Sequence, residues 1–349
     1  MRPFSAAFGV FLFFYFIFSG LTASPVSAQT GSTISLHATS TMNVPSENGG
    51  AFMNGSKCDA DGNLYIRKYM IDRPLLGPVV KIDAEGKRVA VFDPVQFPEL
   101  AMDRADGYSP ASDGGMYQIA RGGGAKPLIY VLRFSSDGTP SSPVRLDADF
   151  EVYTFAAFAG GNFLVSGVKR DTSKKDDRGR NFTAVFSADG RELAQLSFED
   201  AHEIPKAGAK KEPISEAGKA EPTLDLAEAE AGVDGYLYVM RRSSPAMVYA
   251  IAPKGKIMQT IKVNGSGAGM VPGGFHVSGN RLAVSFWSED GERHTVVVAD
   301  AQTGRKIASY GDAGGLGPSF ACYSANEGVF TFLRLGEGNA LDVIRAEVR

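Results

Sequence analysis

The chain has 349 residues, with 36 Lys and Arg against 39 Asp and Glu and a formal net charge of −3. That balance excludes the global basic excess of a nucleic-acid-binding protein. Two cysteines, Cys58 and Cys322, are too few for a disulfide-built scaffold, so a packed hydrophobic core must hold the fold.

MRPFSAAFG carries one positive charge, at Arg2, and VFLFFYFIF from Val10 to Phe18 is apolar but too short to span a bilayer as a helix. Small residues precede Gln29 in SPVSAQT. The pattern predicts a cleavable signal peptide over residues 1–28, cut after Ala28, with an uncleaved anchor as the alternative. No cysteine lies near the cut, which argues against a lipoprotein anchor. The mature chain, 29–349, is expected to be secreted or periplasmic with no membrane span.

TISLHATSTMNV, Thr33 to Val44, is β-prone and has no hairpin of its own. A glycine followed by a strand-like run then recurs along the chain: GNLYI from Gly62, GGMYQI from Gly114, GNFLV from Gly161, GYLYV from Gly235, GNRLAV from Gly279 and GVFTF from Gly328. A repeat of roughly fifty residues built from hairpins is what a propeller blade requires. A second turn glycine follows in the first five units, at Gly86, Gly138, Gly190, Gly255 and Gly304. Each unit reads as four strands, with glycine supplying the positive φ of the first and last turns. The sixth unit ends after three strands, and Thr33–Val44 is expected to supply the fourth and remove an exposed edge. The expected fold is all-β: one six-bladed β-propeller, its last blade closed by the N-terminal strand. Ala201 to Ala231 is rich in Ala, Lys, Glu and Pro, and is read as a mobile loop-face insertion centred on residues 201–224.

The repeats DADGNLYIR and VVKIDAEGKRV resemble those of NHL-type six-bladed propellers and the related lactonase-like and TolB-like groups. The resemblance covers most of the mature chain, and its motifs are structural; it implies architecture and leaves function open. Its lactonase-like members imply a metal-dependent hydrolase, with Glu, Asp and Asn converging on the axis around a divalent ion. The nearest match to their early Glu-Gly-Pro motif is SENGG, with Glu47 and Asn48 but no proline, and Asp103 and Asp106 are further candidates.

Asp59 and Asp61 in CDADGN look like the start of a calcium loop, but position twelve is Met70 and strand residues follow at once. They are read as turn caps. The histidines are scattered, no G-x-S-x-G elbow occurs, and RGGGAK from Arg121 to Lys126 lacks the ending of a P-loop. No metal or cofactor is assigned.

A basic residue follows the second strand of five units: Arg67, Arg121, Arg170, Arg241 and Arg334. If strand lengths match, these form an arginine ring on the loop face, opposite the glycine turns, suited to carboxylates or phosphates. Tyr108, His276 and Trp287 are the further candidate contacts. Cys58 and Cys322 fall in the first and last units, which are neighbours in a closed ring, and either bond or stay as buried thiols. The expected function is a secreted, non-catalytic propeller binding a protein partner, an anionic small molecule or a glycan on its basic loop face. The alternative is a metal-dependent hydrolase or lactonase at the axial mouth.

Overall fold

The computed structural model describes residues 32–46, 50–123, 128–146, 150–169, 180–196, 198 and 226–349. The signal segment, the bulk of the expected insertion, Glu47, Asn48 and Arg170 lie outside them.

The chain is an all-β propeller. After β1 (Ile34–Val44), a first sheet holds β2 (Ala51–Cys58), β3 (Leu64–Tyr69), β4 (Val79–Ile82) and β5 (Arg88–Phe92). The second holds β6 (Met102–Pro110), β7 (Met116–Gly122), β8 (Ile129–Phe134) and β9 (Pro140–Leu146). The third holds β10 (Glu151–Ala157), β11 (Phe163–Lys169), β12 (Arg180–Phe186) and β13 (Glu192–Gln195). The fourth holds β14 (Leu226–Ala231), β15 (Leu237–Arg241), β16 (Ala246–Ile251) and β17 (Ile257–Val263).

The remaining strands are β18 (Met270–Ser278), β19 (Arg281–Ser288), β20 (His294–Asp300), β21 (Lys306–Asp312), β22 (Ser319–Ser324), β23 (Val329–Leu335) and β24 (Leu341–Val348). With β1 they make one eight-stranded sheet in the order β18-β19-β20-β21-β1-β24-β23-β22. β1 pairs antiparallel with β24 from Leu36 opposite Val348 to Val44 opposite Leu341. Its other edge meets β21 in parallel over three residue pairs, Ile34 to Leu36 against Tyr310 to Asp312. The N-terminal strand thus sits where the sequence places it, beside the last strand of the chain.

The core lies between sheets rather than within one layer. β16, AMVYAI, is buried along its whole length because both of its faces are covered, whereas outer strand β17 alternates between covered and open positions. Between the first and second sheets Phe92, Phe97, Met116 and Phe134 interlock, with Phe97 edge-on to Phe134 at 5.4 Å. Truncating one such buried phenylalanine to alanine costs about 3–5 kcal/mol. The innermost strands touch their neighbours in turn, β2 with β6, β6 with β10, β10 with β14, β14 with β18, β18 with β22, and β22 with β2.

The turn glycines named above all have positive φ. Two positions show that they do different work. Gly62 (φ +79°) has nothing within 4 Å of where a Cβ would stand, so its requirement is conformational. At Gly190 (φ +90°) a Cβ would stand 2.0 Å from the Arg145 carbonyl oxygen on β9. That second turn is pressed onto the preceding sheet, and glycine there also permits the close approach.

One expectation is corrected. The stretch from Ala201 to Ala231 is not all insertion: its last residues, LAEAEA, are β14, an innermost strand. The composition reads as loop because the strand carries a single large apolar residue, Leu226, which packs with Ala229 in the core beside two glutamates.

Candidate functional site

Side chains from the innermost strands meet across the axis. Lys57, near the end of β2, reaches across to β14 and β10. Its Nζ donates to the Ala229 carbonyl at 2.7 Å and to the Phe155 carbonyl at 3.3 Å. Desolvation lowers the Lys57 pKa, opposed by the charges of Glu230 and Glu228. Those two glutamates are two residues apart on β14, so the strand period turns both to the same face.

Glu230 Oε2 accepts the Val277 N–H at 2.9 Å and lies 2.9 Å from His276 Nδ1. The His276 contact lacks hydrogen-bond alignment and is an ion pair only when the imidazole is protonated; both side chains are buried. Burial opposes a charge on His276, yet Glu230 raises its pKa above the ordinary histidine value. Glu228 Oε2 accepts the Phe275 N–H at 3.2 Å. Burial, reinforced by the charge of Glu230, pushes the Glu228 carboxyl up to about 7. Lys57, Glu228, Glu230 and His276 thus form a polar septum across the propeller.

The septum separates two cavities. At the turn end, a cavity of about 830 Å³ is lined by Lys57, Glu230 and His276. The turn after each innermost strand contributes to its wall, through Gly62, Gly114, Ala159, Gly235, Gly279 and Asn326. At the loop end, a cavity of about 440 Å³ is lined by Glu228, Arg242, Trp287, Phe320, Arg334 and Leu335, among others.

The sequence-derived candidates are divided by this arrangement. Cys58 and Cys322 are bonded, with Cα atoms 6.1 Å apart, and border the turn-end cavity. His276 lines the turn-end cavity rather than a loop-face surface, and Trp287 lines the loop-end one. Tyr108 is no surface contact: it is buried, with its hydroxyl 2.8 Å from the Gly55 carbonyl and 3.0 Å from that of Tyr65. Asp59 caps its turn by accepting the Asp61 and Asn63 N–H groups, and its carboxylate also meets Lys81 Nζ at 3.1 Å.

The described arginines do not form an open ring. Arg67 is buried between sheets, donating to the Ala105 carbonyl with its guanidinium over the Tyr108 ring. Arg121 is held by Asp103 at 3.2 Å and Arg334 by Asp342 at 3.0 Å, each on the neighbouring strand. Arg241 is 2 % exposed. The second strand of each sheet stands one place out from the axis, so its terminal residues find partners within or between sheets.

Sequence reasoning missed Lys57, Glu228 and Glu230. The available signal was the i, i+2 glutamate pair in LAEAEA. Among the described residues no three His, Cys, Asp or Glu side chains form a metal-ligand group.

No protein-family model matches the chain, and no curated protein matches it. Among solved structures, it is similar to a protein of unknown function from Bacteroides caccae at 14% identity, over 74% of this chain and 80% of that one, with a TM-score of 0.37. The Pan2 WD40 domain of Neurospora crassa is similar at 10% identity, over 90% of this chain and 96% of that one, with a TM-score of 0.47. The Dos1 propeller is similar at 11% identity, over 82% and 74%, with a TM-score of 0.39.

Proposed function

We propose that this chain is an exported, non-catalytic, six-bladed propeller that binds a small polar solute in the turn-end axial cavity. The observation that carries the reading is the placement of Lys57, Glu230 and His276 at the floor of a cavity of about 830 Å³. Binding cavities pair a shaped wall with a few convergent polar groups, and this floor offers an ammonium, a carboxylate and an imidazole together. A solute carrying both donors and acceptors suits that set better than a simple anion, because Glu230 faces the same space.

Two features support six blades. The innermost strands contact one another in a closed cycle of six. The eight-stranded sheet is joined at its middle by only three parallel pairs between β21 and β1, against long antiparallel pairings elsewhere, so it reads as two blades meeting edge to edge. Six blades is also the number that the sequence resemblance to NHL-type propellers implies. Export rests on the segment before Gln29 and is supported by the Cys58–Cys322 bond, since disulfides persist in oxidising compartments.

The test is a thermal-shift and calorimetric screen of residues 29–349 against sugars, amino acids and short peptides, repeated with Glu230→Gln and His276→Asn. A solute that stabilises the wild-type protein and binds the variants at least about tenfold more weakly supports the reading, a tenfold change being 1.4 kcal/mol. If no solute binds while both variants lose stability, the floor is a structural septum and the proposal fails.

A further inference from the structure

We infer that the loop-end cavity is a binding site for an organic ammonium ion with an apolar or aromatic body. This site is separate from the turn-end cavity and does not depend on it.

Glu228 gives the cavity its sign. One of its carboxylate oxygens is occupied by the Phe275 N–H, and the side chain borders the cavity from the septum. The other charges at the wall are Arg242 and Arg334. Arg334 is already paired with Asp342 at 3.0 Å, and the exposed Arg242 acts on Glu228 only as the weakest of several influences, smaller than burial and the charge of Glu230. Above about pH 7, where Glu228 is ionised, a guest anion would therefore face a desolvated carboxylate. A guest ammonium would pair with Glu228 and add a cation on the loop-end side of the septum, opposite Lys57.

The wall gives the cavity its second property. Trp287 stacks on His294 with ring centroids 4.2 Å apart and planes at 7°. His294 meets Phe332 edge-on at 5.6 Å, and Phe332 meets Phe320 edge-on at 5.8 Å. The two cavity-facing aromatics, Trp287 and Phe320, are thus held from behind by one continuous aromatic chain. Burial lowers the pKa of His294 to about 4, so at neutral pH the ring backing the indole carries no charge to oppose a cation in front of it. Aromatic faces attract ammonium groups, and desolvation strengthens that attraction. Leu335 and Met53 add apolar surface, and about 440 Å³ accommodates a body the size of a substituted benzene.

Trp287 is the sole tryptophan, so intrinsic fluorescence reads this cavity without a label. The probes are benzyltrimethylammonium, neutral benzyl alcohol and anionic phenylacetate, titrated into the wild-type protein, Glu228→Gln and Phe320→Leu, with folding of each variant checked by circular dichroism. The expected result is a saturable fluorescence change with the ammonium alone. Its affinity should fall about tenfold or more in Glu228→Gln, the size of a lost hydrogen bond or contact to a charged group. It should fall several-fold in Phe320→Leu. Binding should also weaken between pH 8 and pH 5, as Glu228 gains its proton. Equal binding of benzyl alcohol, preferential binding of phenylacetate, unchanged affinity in a folded Glu228→Gln, or no saturable response to the ammonium would each overturn the inference.

Discussion

The two ends of the propeller axis are built from the same innermost strands, yet they differ in chemistry. At the turn end, Lys57, Glu230 and His276 neutralise one another above a wide cavity with a rim of hairpin turns. At the loop end, Glu228 stands before an aromatic wall in a cavity about half as large. The difference arises on one strand: two residues along β14 separate Glu230 from Glu228. Carboxylates of the same type on the same face, each accepting one peptide N–H, thus acquire different environments, because one has an imidazole beside it and the other a ring-lined void.

The largest expected effects attack what the two ends share. The Cys58–Cys322 bond joins positions 264 residues apart and holds the end of β2 against β22, beside Lys57. Restricting so long a loop stabilises by up to about 5 kcal/mol in the chain-entropy model. Reduction, or paired Cys58→Ala and Cys322→Ala, should lower the urea midpoint accordingly; an unchanged midpoint would detach the bond from the stability of the ring. Lys57→Met comes next. It removes a buried cation whose charge acts on Glu230 and Glu228 and leaves the Ala229 and Phe155 carbonyls without its ammonium, a loss of about 3–5 kcal/mol if the charges behave as a buried pair. A loss under about 1 kcal/mol would mean that water reaches the septum freely.

A smaller effect separates the ends by pH. Glu228 has a folded-state pKa of about 7 against an ordinary glutamate value of 4.5, so the native state holds its proton more tightly. Stability is lost as pH rises through that window, by roughly 3 kcal/mol at most at about 1.4 kcal/mol per pKa unit. Glu228→Gln should therefore stabilise the protein more at pH 8 than at pH 5. His276 has a raised pKa because of Glu230, so its contribution is complete below about 6.5 and fades as pH rises through the higher folded value. His276→Asn should cost more at pH 5.5 than at pH 9. Urea midpoints across this range test both. The same pH slope for wild type and Glu228→Gln would remove the proposed difference between the glutamates.

The sequence made the scaffold legible because each turn needs a glycine and each strand needs its β-formers. These are local requirements that repeat, as Gly62 and Gly190 show. Even the unpaired N-terminal strand was readable, since a run with no hairpin of its own must find a partner elsewhere. The septum was not readable in this way. Lys57 touches residues 98 and 172 positions away, and nothing local to β2 or β14 marks the encounter. Arg67, Arg121, Arg241 and Arg334 erred in the opposite direction. Their periodicity was real, but periodicity fixes a place within each sheet and says nothing of the neighbouring Asp103, Asp342 or Ala105 carbonyl that engages the side chain.

The smallest expected effect sharpens that last point. Arg121 and Asp103 are both partly exposed, with 35% and 47% of their side-chain surface open, and exposed pairs of this kind contribute about 0–1 kcal/mol. Arg121→Gln should shift the urea midpoint by no more than that. It should leave the ammonium response of Trp287 untouched, because Arg121 borders neither cavity. On an arginine ring, the same substitution would remove one of the few guanidiniums gripping a polyanion, and affinity for a sulfated polysaccharide would fall clearly. With Arg121 held by Asp103 on the adjacent strand, that affinity should be weak in the wild-type protein and unchanged in the variant. A marked drop would restore the loop face as an anion-binding surface and would count against Glu228 as the group that sets the sign of the loop end.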